Sequence, residues 1–309
     1  MKTVILGDSG LLGQALVQHF CRDAKAEVFG ISTSPKALPS SGAQLKARYV
    51  HIRLDVLTQQ KAIKNLLLSE KPDLVINSIA LADIGDCEAC PELAEVYNVQ
   101  LPVFLSDISA ASGAYFIQIS SDQVFDGMKL GLLREGDAIN PVNLYGATKV
   151  ACERKILETN PNALLARTNI VGYRGWEKSH TFVEWLENAL AHRKEADLFD
   201  DYVTSSIHVR LFAEALSLAF KKRLKGVYHI ASRDAVSKYE FALSISRRLG
   251  WDSTRCRKIS MANSSLFPRR PAYLALDVKK FERATGASLP PIAKTVECLV
   301  DDFNARHGR

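Results

Sequence analysis

Tyr145 and Lys149 stand four residues apart in the run YGATK, a spacing that puts both side chains on one face of a helix. A phenol ordinarily titrates near ~10, too high for easy proton exchange at neutral pH. A neighbouring ammonium favours the phenolate and draws that value down. The pair therefore suits acid–base work on a carbonyl or an alcohol. Upstream, an apolar run closes in Ser120-Ser121-Asp122. A hydroxyl at the end of such a strand can hydrogen-bond the carbonyl that Tyr145 would protonate. A Tyr–Lys pair also arises on ordinary amphipathic helices, so its order after that serine is the stronger signal.

A second constellation opens the chain. GDSGLLG places Gly7, Gly10 and Gly13 between an apolar strand and a helical run, with Ser9, Leu11 and Leu12 completing the loop. Glycine permits a tight turn, close backbone approach to a pyrophosphate, and close helix–strand packing. The helix start adds free amides and a positive dipole end. The loop is read as a dinucleotide cradle; its plain alternative is a turn with packing glycines. The second strand ends in Ile31-Ser32-Thr33-Ser34-Pro35-Lys36, without the acid that would hold an unphosphorylated ribose. Ser32, Thr33 and Lys36 can donate hydrogen bonds or charge to a phosphate, which favours NADP(H), with NAD(H) as the alternative. Asp55 is the expected acceptor for an adenine amino group, and Val56, Ser78 and Ala80 are assigned to the same cofactor edge.

These residues need a scaffold, and the rest of the pattern supplies one. Strands are expected at Thr3 to Leu6, Glu27 to Ile31, Tyr49 to Leu54, Leu74 to Ile79, Tyr115 to Ser120, Leu164 to Arg167 and Val227 to Ile230. Helical spacing separates them at Leu11 to Phe20, Gln59 to Leu68, Pro91 to Ser112 and Tyr145 to Glu158. This alternation specifies an α/β class, a Rossmann-type doubly wound parallel sheet. Regularity weakens after Val171, which points to a smaller C-terminal substrate lobe. The expected division is residues 1–171 and about 201–232 for the cofactor domain, and about 172–200 and 233–309 for the lobe.

Composition narrows the function classes. The 309 residues carry 40 basic and 34 acidic side chains, a formal charge of +6, too small an excess to argue for nucleic acid. Apolar runs fall well short of the roughly 20 residues needed to cross a bilayer, and the N-terminus turns at once into glycines. No membrane association and a cytoplasmic location are expected. The six cysteines are scattered, so no disulfide framework is read. A lone Cys87/Cys90 pair cannot supply four zinc ligands, and the histidines lack metal spacing; no metal is expected.

Taken together, GDSGLLG, PDLVINSIALAD from Pro72, ISSDQVFDG from Ile119, NLYGATKVACE from Asn143, RTNIVG from Arg167 and RRPAYLALD from Arg269 resemble the extended short-chain dehydrogenase/reductase superfamily. Within it the likeness is to the dTDP-4-dehydrorhamnose reductase family, over nearly the whole chain. The resemblance implies an NADPH-dependent reductase of a 4-keto nucleotide-diphosphate sugar, in which Tyr145 protonates the emerging alkoxide. It casts Ser121, Tyr145 and Lys149 as the catalytic set and Asn98 as the asparagine that supports the lysine through water. Asp122, Val124, Phe125 and Gly127 match a segment lining the site. The substrate diphosphate needs cations: Arg174, Lys178, Arg269 and Arg270 are candidates, the last pair first because it lies in a family-like run. A homodimer is compatible with this reading.

Departures cluster on the substrate side. Gln123 replaces the family's tyrosine, Cys152 a glycine and Tyr273 an asparagine, while Thr204-Ser205-Ser206 lacks a proline. An amide at position 123 argues against the related dehydratases, which use an acid pair there. Two alternatives stay open: a nucleotide-sugar epimerase, and a non-catalytic NADP-binding protein resembling the regulatory subunit of methionine adenosyltransferase.

Overall fold

Each apolar run of the cofactor half folds as a strand of one sheet. The computed structural model describes residues 1–35, 45–175, 180–263 and 268–308. The sheet strands are β1 (Lys2–Leu6), β2 (Glu27–Ser32), β3 (Arg48–Arg53), β4 (Leu74–Asn77), β5 (Tyr115–Ser121), β6 (Leu164–Thr168) and β7 (Gly226–His229). The principal helices are α1 (Leu11–Phe20), α2 (Gln60–Glu70), α3 (Leu101–Ser112), α4 (Leu144–Thr159), α5 (Phe182–Ala191), α6 (Val209–Lys221), α7 (Lys238–Leu249) and α8 (Ile292–His307).

The strand order is β7-β6-β5-β4-β1-β2-β3, and every neighbouring pair is parallel. β4 and β6 are buried along their whole length, as a sheet covered on both faces requires. Alternation sends Ile76 and Ile117 to one face, where they meet Leu16, Phe212 and Leu216. Val75 and Phe116 point to the other face and pack with Ile63, Leu105 and Ile156. Helices therefore leave β1 and β4 on opposite faces, and the crevice at their carboxyl ends is the topological switch point where such sheets bind ligands. A third cluster (Val183, Leu186, Phe241, Ile245, Val296 and Leu299) joins α5, α7 and α8 away from the sheet. Among the described residues no helix is long and apolar enough to cross a membrane.

One expected element differs. The single helix read from Pro91 to Ser112 is a short helix Pro91–Glu95, a π-helical turn Val96–Gln100, and then α3. Pro102 has no amide hydrogen, and its ring would collide with the carbonyl four residues back in a regular helix. The turn widens instead, and the Leu101 amide reaches back five residues to the Val96 carbonyl. Asn98 lies in this widened turn, a feature often found at functional sites.

Candidate active site

Gly7 ends β1 with φ +85°, in the left-handed region. A Cβ on Gly13 would come within 2.0 Å of the Gly7 carbonyl oxygen, so the loop closes only without side chains. α1 starts with no side-chain cap, leaving the amides of Leu11, Leu12 and Gly13 as donors no earlier turn can satisfy. At the end of β2 the Ser32 hydroxyl is buried without a partner. A side-chain-free cradle and an orphaned donor fit a dinucleotide's phosphates.

The other expected cofactor residues fall into two groups. Ser78 donates to the Leu6 carbonyl at 2.6 Å and fills the space a Gly7 side chain would need. Thr33 borders the crevice through its carbonyl, which accepts from Arg53 Nε at 3.2 Å. Ser9 likewise offers its carbonyl, here to Gln14 Nε2 at 2.9 Å; Ala80 follows β4 and is partly buried. Leu12 and Val56 are core side chains, so only their backbone can face a ligand. The Asp55 carboxylate accepts the Leu57 amide at 2.9 Å, a bond that holds it below the usual carboxylate range. Lys36 and Lys178 lie outside the described residues.

α4 carries Tyr145 and Lys149, the expected acid–base pair. Asn143 caps its start by accepting the Gly146 amide at 2.9 Å. Gly146 is required there, since a Cβ would stand 2.2 Å from the Gln123 carbonyl oxygen. One turn separates Tyr145 from Lys149, whose ammonium lies 5.5 Å from the phenol ring centroid and donates to the Ile119 carbonyl at 3.3 Å. Burial pushes the lysine down from its ordinary value. Burial also pushes Tyr145 up, and its hydrogen bond with Ser121 only partly offsets that. The expected drop of the phenol toward neutrality is therefore not what the protein alone produces: the cation lies over the ring and donates to backbone.

Asn98 is fully buried and spends its amide on protein. Its Oδ1 accepts the Leu81 amide at 3.0 Å; its Nδ2 donates to the Leu81 carbonyl at 3.0 Å and to Thr148 Oγ1 at 3.1 Å. It pins the loop after β4 to α4, one residue before Lys149.

Ser121 and Asp122 lie beside the Tyr145 phenol, with Ser121 Oγ donating to Asp122 Oδ1 at 3.1 Å. Asp122, 1% exposed, is pushed up by burial to about 6, even though it accepts from Asn169 Nδ2 at 2.8 Å. Gln123 is held at both ends: Nε2 donates to the Tyr202 hydroxyl at 3.2 Å and Oε1 accepts from Asn143 at 3.2 Å. Val124 and Phe125 do not line the cleft. The short 3₁₀ turn Asp122–Val124 rotates both into the core, 0% and 1% exposed, with Phe125 edge-on to His229. Gly127 backs onto Pro271 and Ala272.

Of the expected cations, Arg270 has its Nε buried without a hydrogen-bond partner. Arg269 is exposed and offers its carbonyl to Asn143 at 3.1 Å. The Arg174 backbone is fixed by its N–H, which donates to Glu184 Oε1 at 2.7 Å, and burial lowers its guanidinium from the usual value. Sequence reading missed Tyr202 and Lys238. Lys238 opens α7, where a cation opposes the helix dipole by roughly 0.3–1 kcal/mol. Its ammonium lies 5.3 Å from the Phe182 ring and 5.4 Å from the Tyr202 ring, and 3.4 Å from Ser206 Oγ. A lysine directly after a serine cap, where an acid is favoured, was the legible signal.

A crevice at the switch point, a glycine cradle and a Ser–Tyr–Lys cluster on one sheet edge match one known family. Residues 1–305 fit the model of the RmlD substrate binding domain. The chain belongs to this family. It is thus a member of the extended short-chain dehydrogenase/reductases of dTDP-4-dehydrorhamnose reductase type. Among curated members, the Haloferax volcanii protein named "Probable low-salt glycan biosynthesis reductase" is 28% identical over 98% of this chain and 99% of its own length. Methionine adenosyltransferase 2 subunit beta of Xenopus laevis is 30% identical over 91% of this chain and 82% of its own. In structure, a dTDP-4-dehydrorhamnose reductase of Clostridium acetobutylicum superposes with TM-score 0.82 at 24% identity, covering 98% of this chain and 100% of that one. The family's fold is thus reproduced over 98% of the chain.

Proposed function

We propose that this member of the family is an NADPH-dependent reductase of a 4-keto nucleotide-diphosphate sugar. The observation that carries the reading is the Tyr145 phenol, hydrogen-bonded to Ser121, with the Lys149 ammonium 5.5 Å from its ring centroid. The curated relatives named as dTDP-4-dehydrorhamnose reductases, from Aggregatibacter actinomycetemcomitans and Salmonella typhimurium, support it at 24% and 25% identity. A bound nicotinamide dinucleotide would supply the hydride. The chain's own part is to hold the sugar carbonyl against Ser121 and Tyr145 and to pass the phenolic proton to the oxygen as it gains charge. Residues 1–171 and about 201–232 would carry the cofactor, and the remainder the sugar nucleotide.

Arg270 and Lys238 are the cations we assign to the substrate's diphosphate. Burial lowers Lys238 to about 8, against the pull of Asp122. Its charge is present below that value and lost above it. KM for the sugar nucleotide is therefore expected to rise as pH passes about 8 in the native protein. In Lys238→Met it should be high and flat across that range; a parallel profile would remove Lys238 from the substrate site.

Likeness to the methionine adenosyltransferase 2 beta subunit favours a second, regulatory reading. NADPH oxidation against a panel of 4-keto nucleotide sugars separates the two. Turnover of one panel member is expected. Tight NADP(H) binding with no turnover of any would support the regulator, and interconversion without net NADPH loss an epimerase.

A further inference from the structure

Asp8, the residue after the first loop glycine, lies beneath the cradle with its carboxylate 1% exposed. Its Oδ2 accepts the Tyr49 hydroxyl at 2.7 Å and meets His51 Nδ1 at 2.7 Å. The room for it comes from Gly30, where a Cβ would stand 2.0 Å from the same oxygen. The other His51 nitrogen, Nε2, is 2.9 Å from the Ser34 carbonyl oxygen. A carboxylate and a carbonyl only accept, so both ring nitrogens must donate and the ring is an imidazolium. Burial alone would push His51 down, but its bonds to Asp8 and Ser34 outweigh that and hold it above its ordinary value.

β3 runs beside β2 with Gly30 opposite His51 and Ser32 opposite Arg53. The exposed Arg53 side chain donates from Nε to the Thr33 carbonyl at 3.2 Å, which fixes the guanidinium at the turn following β2. That turn also holds the orphaned Ser32 hydroxyl. Two cations from β3, one exposed and one locked in a salt bridge, thus bracket residues 32–34, where a dinucleotide's adenosine ribose would lie in this fold.

We propose that Arg53, positioned by Thr33, reads the 2′-phosphate of an adenosine ribose, and that the Asp8–His51 pair is the positioning element that fixes the turn for it. Discrimination between phosphorylated and plain cofactor then comes from β3, not from the loop lysine that the sequence first brings forward. A planar guanidinium can meet a phosphate with two parallel hydrogen bonds, so a lysine there would not be equivalent.

This inference rests on the dinucleotide reading, and the experiment separates the two. Calorimetric titration of the intact protein with 2′,5′-ADP and with ADP measures each affinity without any turnover. The native protein is expected to prefer 2′,5′-ADP by at least about tenfold, roughly one charge-assisted hydrogen-bond pair. Arg53→Gln should cut that ratio about tenfold and leave ADP binding unchanged. His51→Gln should narrow the ratio too, and Arg53→Lys should restore only part of it. Equal binding of both ligands, or an unchanged ratio in Arg53→Gln, would overturn the inference while leaving the cofactor reading intact. Binding of neither would overturn both.

Discussion

Replacing Tyr145 with phenylalanine is expected to lower kcat by about 10²–10⁴-fold, the range general acid catalysis supplies, while NADPH affinity stays within about twofold. The ring is retained, so its contact with the Lys149 ammonium at 5.5 Å survives. Only the hydroxyl that Ser121 bonds is lost. An alkoxide forming at the sugar carbon would then have no proton donor in place, and transition-state stabilisation falls without loss of cofactor binding. Single-turnover absorbance of NADPH, with fluorescence titration of the cofactor, tests both halves. Full activity in Tyr145→Phe would assign the proton to another group, with Asp122, whose charge acts on the phenol, the first to test.

The second large effect is on stability and comes from one turn further along the same helix. Glu153 and Arg167 are 4% and 1% exposed and form a two-pronged pair, Nε to Oε1 at 2.9 Å and NH2 to Oε2 at 2.6 Å. Ser120 Oγ adds a hydrogen bond to Oε1 at 2.5 Å. The guanidinium also lies 5.3 Å from the Phe125 ring. Glu153→Gln leaves a guanidinium in the core with no counter-charge, and breaking a buried pair in this way costs about 3–5 kcal/mol. Urea unfolding should show that loss with an unchanged m-value. Exchange of both partners for leucine should recover much of it, because neither charge is then stranded. A loss below about 1 kcal/mol in Glu153→Gln would mean that water reaches Arg167.

How much of this the chain discloses follows from how far each interaction reaches. The glycine loop is local: three glycines, a strand before and a helix after, all within thirteen residues, and the backbone adopts that turn. Tyr145 and Lys149 are local too, since one helix sets their separation. Inner strands such as β4 were legible because burial on both faces leaves them wholly or mostly apolar, whereas the edge strand β3 carries Arg48, His51 and Arg53. Asn98 was readable as a residue but not in its geometry, because the widened turn depends on Pro102 further on. Val124 and Phe125 were placed at the cleft by the resemblance alone, and the short 3₁₀ turn after Ser121 sends both side chains into the core instead. Tyr202 and Lys238 stand 79 and 115 positions beyond Gln123, and only tertiary packing brings them to Asp122.

The two hydrogen bonds of the Gln123 side chain tie distant segments of the chain together. Its amide joins Asn143, which caps the helix of Tyr145, to Tyr202 on a separate segment. A lineage that exchanges Gln123 for tyrosine loses the donor to Tyr202 and the acceptor for Asn143 in one step. Positions 123, 143 and 202 are therefore physically coupled, and a substitution at Gln123 acts at once on two partners that lie well apart in the sequence.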